Sequence, residues 1–185
     1  MQQIPLFLTL LRVFSSPVLA WLLFRSRFRE ALILVLIAGV TDWLDGWTAR
    51  KLQVSGKAGV ILDPLADKVL LVTLFVVLGL IKLLPLWMLL LVIGRDLIIV
   101  IGALLLRLLR GYHQFLPSLW GKVSTFFQIV LIFLVLAHAA LPNRFVWYLQ
   151  ELALLLSALF TAFSGVNYVR QGIAMTKHRP AGVIG

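Results

Sequence analysis

The sequence predicts an all-α integral membrane protein: six transmembrane helices packed in one bundle. Two observations carry that expectation. Of the 185 residues, 62% are hydrophobic and only 13% are charged, and the mean hydropathy is +1.04. A soluble domain is roughly 45–50% apolar, and a chain this short cannot bury such an excess in its own core, so the solvent is lipid. The apolar residues also gather into six stretches, each near the roughly 20 residues that cross a bilayer.

Taken in order, the stretches cover 4–24, 31–49, 60–81, 84–106, 118–141 and 145–168. Short polar breaks separate most of them, at 25–30, 50–57, 107–117 and 141–144. There is no internal repeat, low-complexity tract or second soluble region, so residues 1–185 read as a single domain. The opening stretch lacks a basic leader and carries Arg12 within its apolar run, which argues against a cleaved signal sequence.

Charge sets the expected orientation. Six spans put both termini on one side, and that side holds eight basic residues: Arg50, Lys51, Lys57, Arg107, Arg110, Arg170, Lys177 and Arg179. The opposite side holds five, Arg25, Arg27, Arg29, Lys82 and Arg144. The bias places the termini in the cytoplasm, although the three arginines at 25–29 pull the other way. The net charge of +10 reads as membrane anchoring and attraction to anionic head groups. No basic helix or aromatic-interleaved patch suggests nucleic acid. The sequence contains no cysteine, so any metal is held by oxygen or histidine. His113 and His138 show no metal-site spacing and read as loop or interfacial residues, and Trp87, Trp120 and Trp147 read as an interfacial belt.

Nine ionisable residues fall within or at the edges of the apolar stretches: Arg12, Asp42, Asp45, Asp63, Asp67, Lys68, Arg95, Asp96 and Lys122. Each costs about 2.5–3.5 kcal/mol at the centre of a span on insertion scales, so they need partners, water or metal. Four are aspartates at helical spacing. Asp42, Asp45, Gly46 and Ala49 share one helical face, and Gly59, Asp63 and Asp67 form an i, i+4 stripe on the next helix. The short connection at 51–58 makes these helices antiparallel neighbours, with all four carboxylates near one membrane face. Carboxylates so close repel one another unless some are protonated or a cation lies among them. Their oxygens suit Mg²⁺, Mn²⁺ or Ca²⁺, and Mg²⁺ in particular is commonly shared with substrate phosphates. A pair of such ions about 4 Å apart suits displacement at phosphorus. The small residues leave room for a ligand to approach the backbone, and Arg50 is placed to hold a phosphate.

The pattern Asp-x₂-Asp-Gly-x₂-Ala-Arg-x₈-Gly-x₃-Asp-x₃-Asp resembles the signature of the CDP-alcohol phosphatidyltransferase family. All eight fixed positions are present: Asp42, Asp45, Gly46, Ala49, Arg50, Gly59, Asp63 and Asp67. The resemblance implies the CDP-alcohol phosphotransferase fold, CDP-diacylglycerol as donor, release of CMP, two divalent metal ions (Mg or Mn) and a homodimer. It makes Asp42, Asp45, Asp63 and Asp67 metal ligands, with Asp67 also the base toward the acceptor hydroxyl. It places Gly46, Ala49 and Gly59 against the cytidine nucleotide, with Arg50 on the diphosphate. A bacterial cytoplasmic membrane is the expected location, with the active site near the cytoplasmic face.

Two acceptors compete, phosphatidylglycerol and glycerol-3-phosphate. Ile4, Pro5, Thr9 and Arg12 resemble an opening common to both groups, with Leu6 where Asn is usual. Glycerol-3-phosphate enzymes commonly carry Arg-Glu in the fourth span, an Arg eight residues later, and Gly-Lys-x-Lys-Thr in the fifth. Here the residues are Arg95-Asp96, Ala103 and Gly121-Lys122-Val123-Ser124-Thr125. Two expected cations are missing, at Ala103 and Ser124. The Lys-Val-x-Thr-x-x-Gln run ending at Gln128 is more similar to cardiolipin synthases of mitochondria, so phosphatidylglycerol is the preferred acceptor. Arg12, Arg95 and Lys122 are the candidate acceptor or phosphate contacts; Arg95 and Lys122 have the alternative task of neutralising aspartates. Rival classes are intramembrane prenyltransferases, which lack the Asp-Gly-x-x-Ala-Arg block, and a cation transporter, which calls for paired broken helices or repeats.

Overall fold

In a computed structural model, residues 15–52, 59–110 and 119–177 are described; the side chains at 42–52, 59–67, 106, 107, 109, 110 and 175–177 are not among them. These residues form six helices. The first, α1, is described over Ser15–Phe24. It is followed by α2 (Phe28–Leu52), α3 (Gly59–Leu80), α4 (Leu86–Arg110), α5 (Leu119–Ala140) and α6 (Arg144–Lys177). The expected all-α class holds, with no strand among the described residues.

Among the described residues, three helical segments are long and apolar enough to cross a membrane: α4 over Leu86–Leu105, α5 over Leu119–Ala140 and α6 over Arg144–Ala174. Their outward faces carry bare Leu, Ile, Val and Phe, for example Leu90, Leu104, Phe126, Leu155 and Phe163. Such exposure is unfavourable in water and expected where lipid is the solvent. Among the described residues, α1 and α3 contribute the shorter apolar segments Ser15–Phe24 and Lys68–Leu80.

Helix boundaries differ from the hydropathy limits. Pro85 delays α4 to Leu86, and α6 continues to Lys177, where the apolar stretch ends at 168. Its 34 residues span about 51 Å at 1.5 Å per residue, well beyond a hydrocarbon core of ~30 Å. Backbone hydrogen bonds carry the helix past the point where polar residues interrupt the apolar run, at Arg170 and Gln171.

Local chemistry fixes the corners. Both α1 and α3 end in a residue of left-handed backbone, Ser26 (φ 56°) and Lys82 (φ 63°). At the first, Arg27 N donates to Leu22 O (2.9 Å) and Ser26 N to Leu23 O (3.0 Å). At the second, Leu83 N donates to Leu78 O (2.9 Å) and Lys82 N to Gly79 O (3.1 Å). These are paired Schellman caps, which satisfy carbonyls that the helix leaves open. At the start of α6, Asn143 Oδ1 accepts from Phe145 N at 2.7 Å, an N-cap just after Pro142.

The chain divides into two compact units, Met1–Leu86 with Ile132–Gln150, and Trp87–Leu131 with Glu151–Gly185. The first has an apolar interior that includes Leu19, Leu23, Phe75, Leu78, Ile132, Val135 and Leu136, all nearly inaccessible. In that unit Arg29 Nε donates to Ala140 O at 3.3 Å, a cation on the open carbonyls of the α5 C-terminus. Arg25 and Arg27 lie 5.9 and 5.8 Å from the Trp21 ring, within cation–π range. The arginines at 25–29, which opposed the charge bias, thus have local structural partners.

The second unit buries a different surface. Within this unit the buried positions of α5 are Gly121, Ser124, Gln128 and Leu131, a single helical stripe of small and polar residues that ends in an apolar one. On α6 the buried Ser157, Thr161, Ser164 and Tyr168 repeat at i, i+4, i+7 and i+11. Two polar stripes therefore meet between helices, an arrangement that suits a membrane interior where hydrogen bonds hold helices together.

Candidate active site

The four aspartates lie on two consecutive helices, in the second half of α2 and the first half of α3. Helix α2 runs unbroken through Asp42, Asp45, Gly46, Ala49 and Arg50, and α3 begins at Gly59 and runs through Asp63 and Asp67. The backbone thus supplies the helical spacing that puts each pair on one face. Only residues 53–58 separate the two helices. The side chains of all eight motif residues, and Arg12, lie outside the described part of the structure. Among the described residues no group of three His, Cys, Asp or Glu is placed to hold a metal ion. The donor chemistry of the motif itself fits a hard divalent cation, since it offers carboxylate oxygens on regular helices and the chain has no thiol.

The second unit contains a buried ionic cluster. Arg95 and Asp96 of α4 are each 8% exposed. Arg95 Nη1 donates to Asp96 Oδ1 at 2.8 Å. Nε and Nη2 donate to Ser164 Oγ of α6 at 3.3 and 3.1 Å, and Nη2 reaches the Gly121 carbonyl of α5 at 3.4 Å. The guanidinium also lies 5.8 Å from the Tyr168 ring centroid. One side chain therefore ties three helices together. Gly121 permits this approach: a Cβ there would stand 2.9 Å from Tyr168 Oη and 3.0 Å from Arg95 Nη2.

One turn along, Ser124 Oγ and Thr161 Oγ1 are 3.0 Å apart. Gln128 Nε2 donates to Thr161 Oγ1 at 3.0 Å and to Ser124 Oγ at 3.3 Å. Position 124, where the related glycerol-3-phosphate enzymes were expected to carry a cation, is a fully buried serine in a hydroxyl–amide triad.

Arg95 and Lys122, paired in the sequence reading as phosphate contacts, differ in setting. Arg95 is buried and bonded to protein groups, while Lys122 is exposed in the first turn of α5. Ala103 is half-buried in α4. Trp87, Trp120 and Trp147 are partly exposed, at 51%, 42% and 43%, and each lies in the first turn of its helix, as an interfacial belt requires. Trp120 packs on Phe163 and Phe160. His138 lies in the last turn of α5, its Nδ1 buried without a hydrogen-bond partner; His113 lies outside the described residues. Sequence reasoning missed Thr161, Ser164 and Tyr168. Their polar stripe on an otherwise apolar helix was the available signal.

Residues 2–163 match the profile of the CDP-alcohol phosphatidyltransferase family. The chain belongs to this family. It is similar to the CDP-diacylglycerol–glycerol-3-phosphate 3-phosphatidyltransferase of Bacillus subtilis, 36% identical over 137 residues that cover 74% of this chain and 69% of that one. It is similar over nearly its whole length to the enzyme of the same name from Aquifex aeolicus, 33% identical over 93% of this chain and 97% of the other. It is also similar to the human cardiolipin synthase (CMP-forming), 31% identical over 91% of this chain and 61% of the human one. Members of the CDP-alcohol phosphatidyltransferase family use divalent metals, and the family together with the three long apolar helices makes this an integral membrane protein.

Proposed function

We propose that this CDP-alcohol phosphatidyltransferase transfers the phosphatidyl group of CDP-diacylglycerol to a glycerol-containing acceptor, with Asp42, Asp45, Asp63 and Asp67 as its metal-binding carboxylates. The observation that carries the reading is the unbroken course of α2 and α3 through both halves of the eight-residue signature. The acceptor hydroxyl oxygen bonds to the lipid-side phosphorus, the bridging P–O bond breaks, and its oxygen leaves with CMP. Asp67 takes the hydroxyl proton. Gly46, Ala49 and Gly59 admit the nucleotide close to the backbone, and Arg50 binds the diphosphate. Two divalent ions, Mg or Mn, supply charge neutralisation of the leaving CMP when bound.

Phosphatidylglycerol is our preferred acceptor, making the activity that of a CMP-forming cardiolipin synthase. Glycerol-3-phosphate is the alternative, and relatives with both names are similar to this chain. The preference rests on Ala103 and Ser124, where a doubly charged acceptor phosphate calls for cations. Arg12, Arg95 and Lys122 are the proposed acceptor or phosphate contacts; the protein partners of Arg95 favour a positioning role for it. Residues 1–185 form one catalytic domain of six spans in this reading, acting as a homodimer in a bacterial cytoplasmic membrane with the site at its cytoplasmic face. The profile match over residues 2–163 supports the single domain.

The test is to supply purified enzyme with CDP-diacylglycerol and each acceptor in turn. Cardiolipin formed from phosphatidylglycerol is the expected result. Product with glycerol-3-phosphate alone overturns the acceptor assignment while leaving the family chemistry in place.

A further inference from the structure

We infer that a groove between α4 and α6 is a binding site for one anionic phospholipid, with an acyl chain along the groove and the phosphate at Arg170. The groove has a volume of about 460 Å³ and is walled mainly by apolar side chains, Leu90 and Ile98 of α4 and Val166 and Val169 of α6 among them. Gly94 and Gly165 open it. A Cβ at Gly94 would meet nothing within 4 Å, and one at Gly165 would meet only the Arg95 side chain, at 3.8 Å. Both flanking helices are long, apolar spans, so the medium that fills the groove is lipid. An apolar channel left empty in a membrane forfeits its dispersion contacts.

Arg170 selects among lipids. It is exposed on the groove's rim, and its guanidinium makes no hydrogen bond or ion pair among the described residues. It stands 26 residues beyond Arg144, where α6 begins, or about 39 Å along the axis. That exceeds the ~30 Å hydrocarbon thickness and brings the guanidinium to head-group level. Arg95, the other cation at the groove, is already bonded to Asp96 and Ser164. A free guanidinium at head-group depth beside a chain-shaped apolar channel matches an amphiphile with one phosphodiester charge, since basic pockets between spans recognise anionic head groups. This inference does not depend on which acceptor the enzyme uses.

The test measures phospholipid retained by full-length protein after delipidation and add-back, counted by native mass spectrometry. Phosphatidylglycerol is compared with phosphatidylcholine of the same acyl chains. Wild type is expected to retain one phosphatidylglycerol in preference to phosphatidylcholine. Arg170→Gln reduces that preference about five-fold, whereas Arg25→Gln, on a residue stacked against Trp21, leaves it unchanged. Gly94→Leu fills the groove and lowers retention of both lipids, with a melting curve confirming that the protein is folded. Equal retention of the two lipids by wild type overturns the inference. So does wild-type phosphatidylglycerol retention in both groove variants.

Discussion

Nη1 of Arg95 donates to Oδ1 of Asp96 across 2.8 Å, although the two residues are consecutive in α4. Neighbours in a helix diverge by about 100° around its axis, so the arginine side chain has to curl back to its neighbour. It does so while its other donors engage Ser164 and Gly121 on two further helices. The pair satisfies charges that would otherwise be costly at membrane depth.

Breaking this pair from one side is therefore expected to cost more than removing it whole. Arg95→Met leaves a buried carboxylate and should destabilise by about 3–5 kcal/mol. Arg95→Met combined with Asp96→Leu should recover part of that loss. Thermal unfolding of wild type, Arg95→Met, Asp96→Leu and the double variant in one detergent measures it, and simple additivity of the two single losses would argue that the residues are not coupled.

Gly121 is expected to be intolerant of even a methyl group. Gly121→Ala puts carbon 2.9 Å from Tyr168 Oη and 3.0 Å from Arg95 Nη2, an overpacking that costs about 1–3 kcal/mol. Gly102→Ala, on α4 with nothing within 4 Å, should be neutral or stabilising by up to ~1 kcal/mol. Melting temperatures that move equally would contradict the close approach.

The triad of Ser124, Gln128 and Thr161 should behave as a unit. Thr161→Val removes a group bonded to both partners and should cost about 1–2 kcal/mol. Adding Ser124→Ala should cost less than its effect alone, because the partner is already gone. A double-mutant cycle read by unfolding gives the coupling.

The left-handed residue at the α1–α2 corner allows a stabilising change. Ser26→Gly, at φ 56°, should raise stability by about 1 kcal/mol, since a side chain is disfavoured there. Ser26→Val should lower it. Chemical unfolding midpoints test both directions.

Much of this was legible in the sequence, and unevenly. The helical class followed from hydropathy because apolar runs of span length have few alternatives in lipid. The end of α6 did not, because the nine residues beyond 168 that remain helical mix Val169 and Ile173 with Arg170, Gln171 and Lys177, which hides where the helix stops. The helical course of α2 and α3 through the eight signature positions was legible because those residues recur at helical spacing along two neighbouring apolar stretches. The partners of Arg95 were not, because Gly121, Ser164 and Tyr168 lie 26, 69 and 73 positions away and become neighbours only when three helices pack. Their periodicity on α5 and α6 was visible, but it resembles small-residue helix packing just as well. Ser26 and Lys82 gave no sign of their left-handed backbone, since neither is Gly or Asn.

The most direct test of the account is CMP release from CDP-diacylglycerol in the presence of phosphatidylglycerol and, separately, glycerol-3-phosphate, by metal-stripped enzyme as Mg²⁺ or Mn²⁺ is added back, for wild type and Asp67→Asn. Metal-dependent release in wild type, almost none in Asp67→Asn, and donor binding partly kept by that variant are the predicted results, because Asp67 is assigned chiefly to proton transfer. Undiminished CMP release by Asp67→Asn, or release by wild type that ignores the metal, would contradict the central claim.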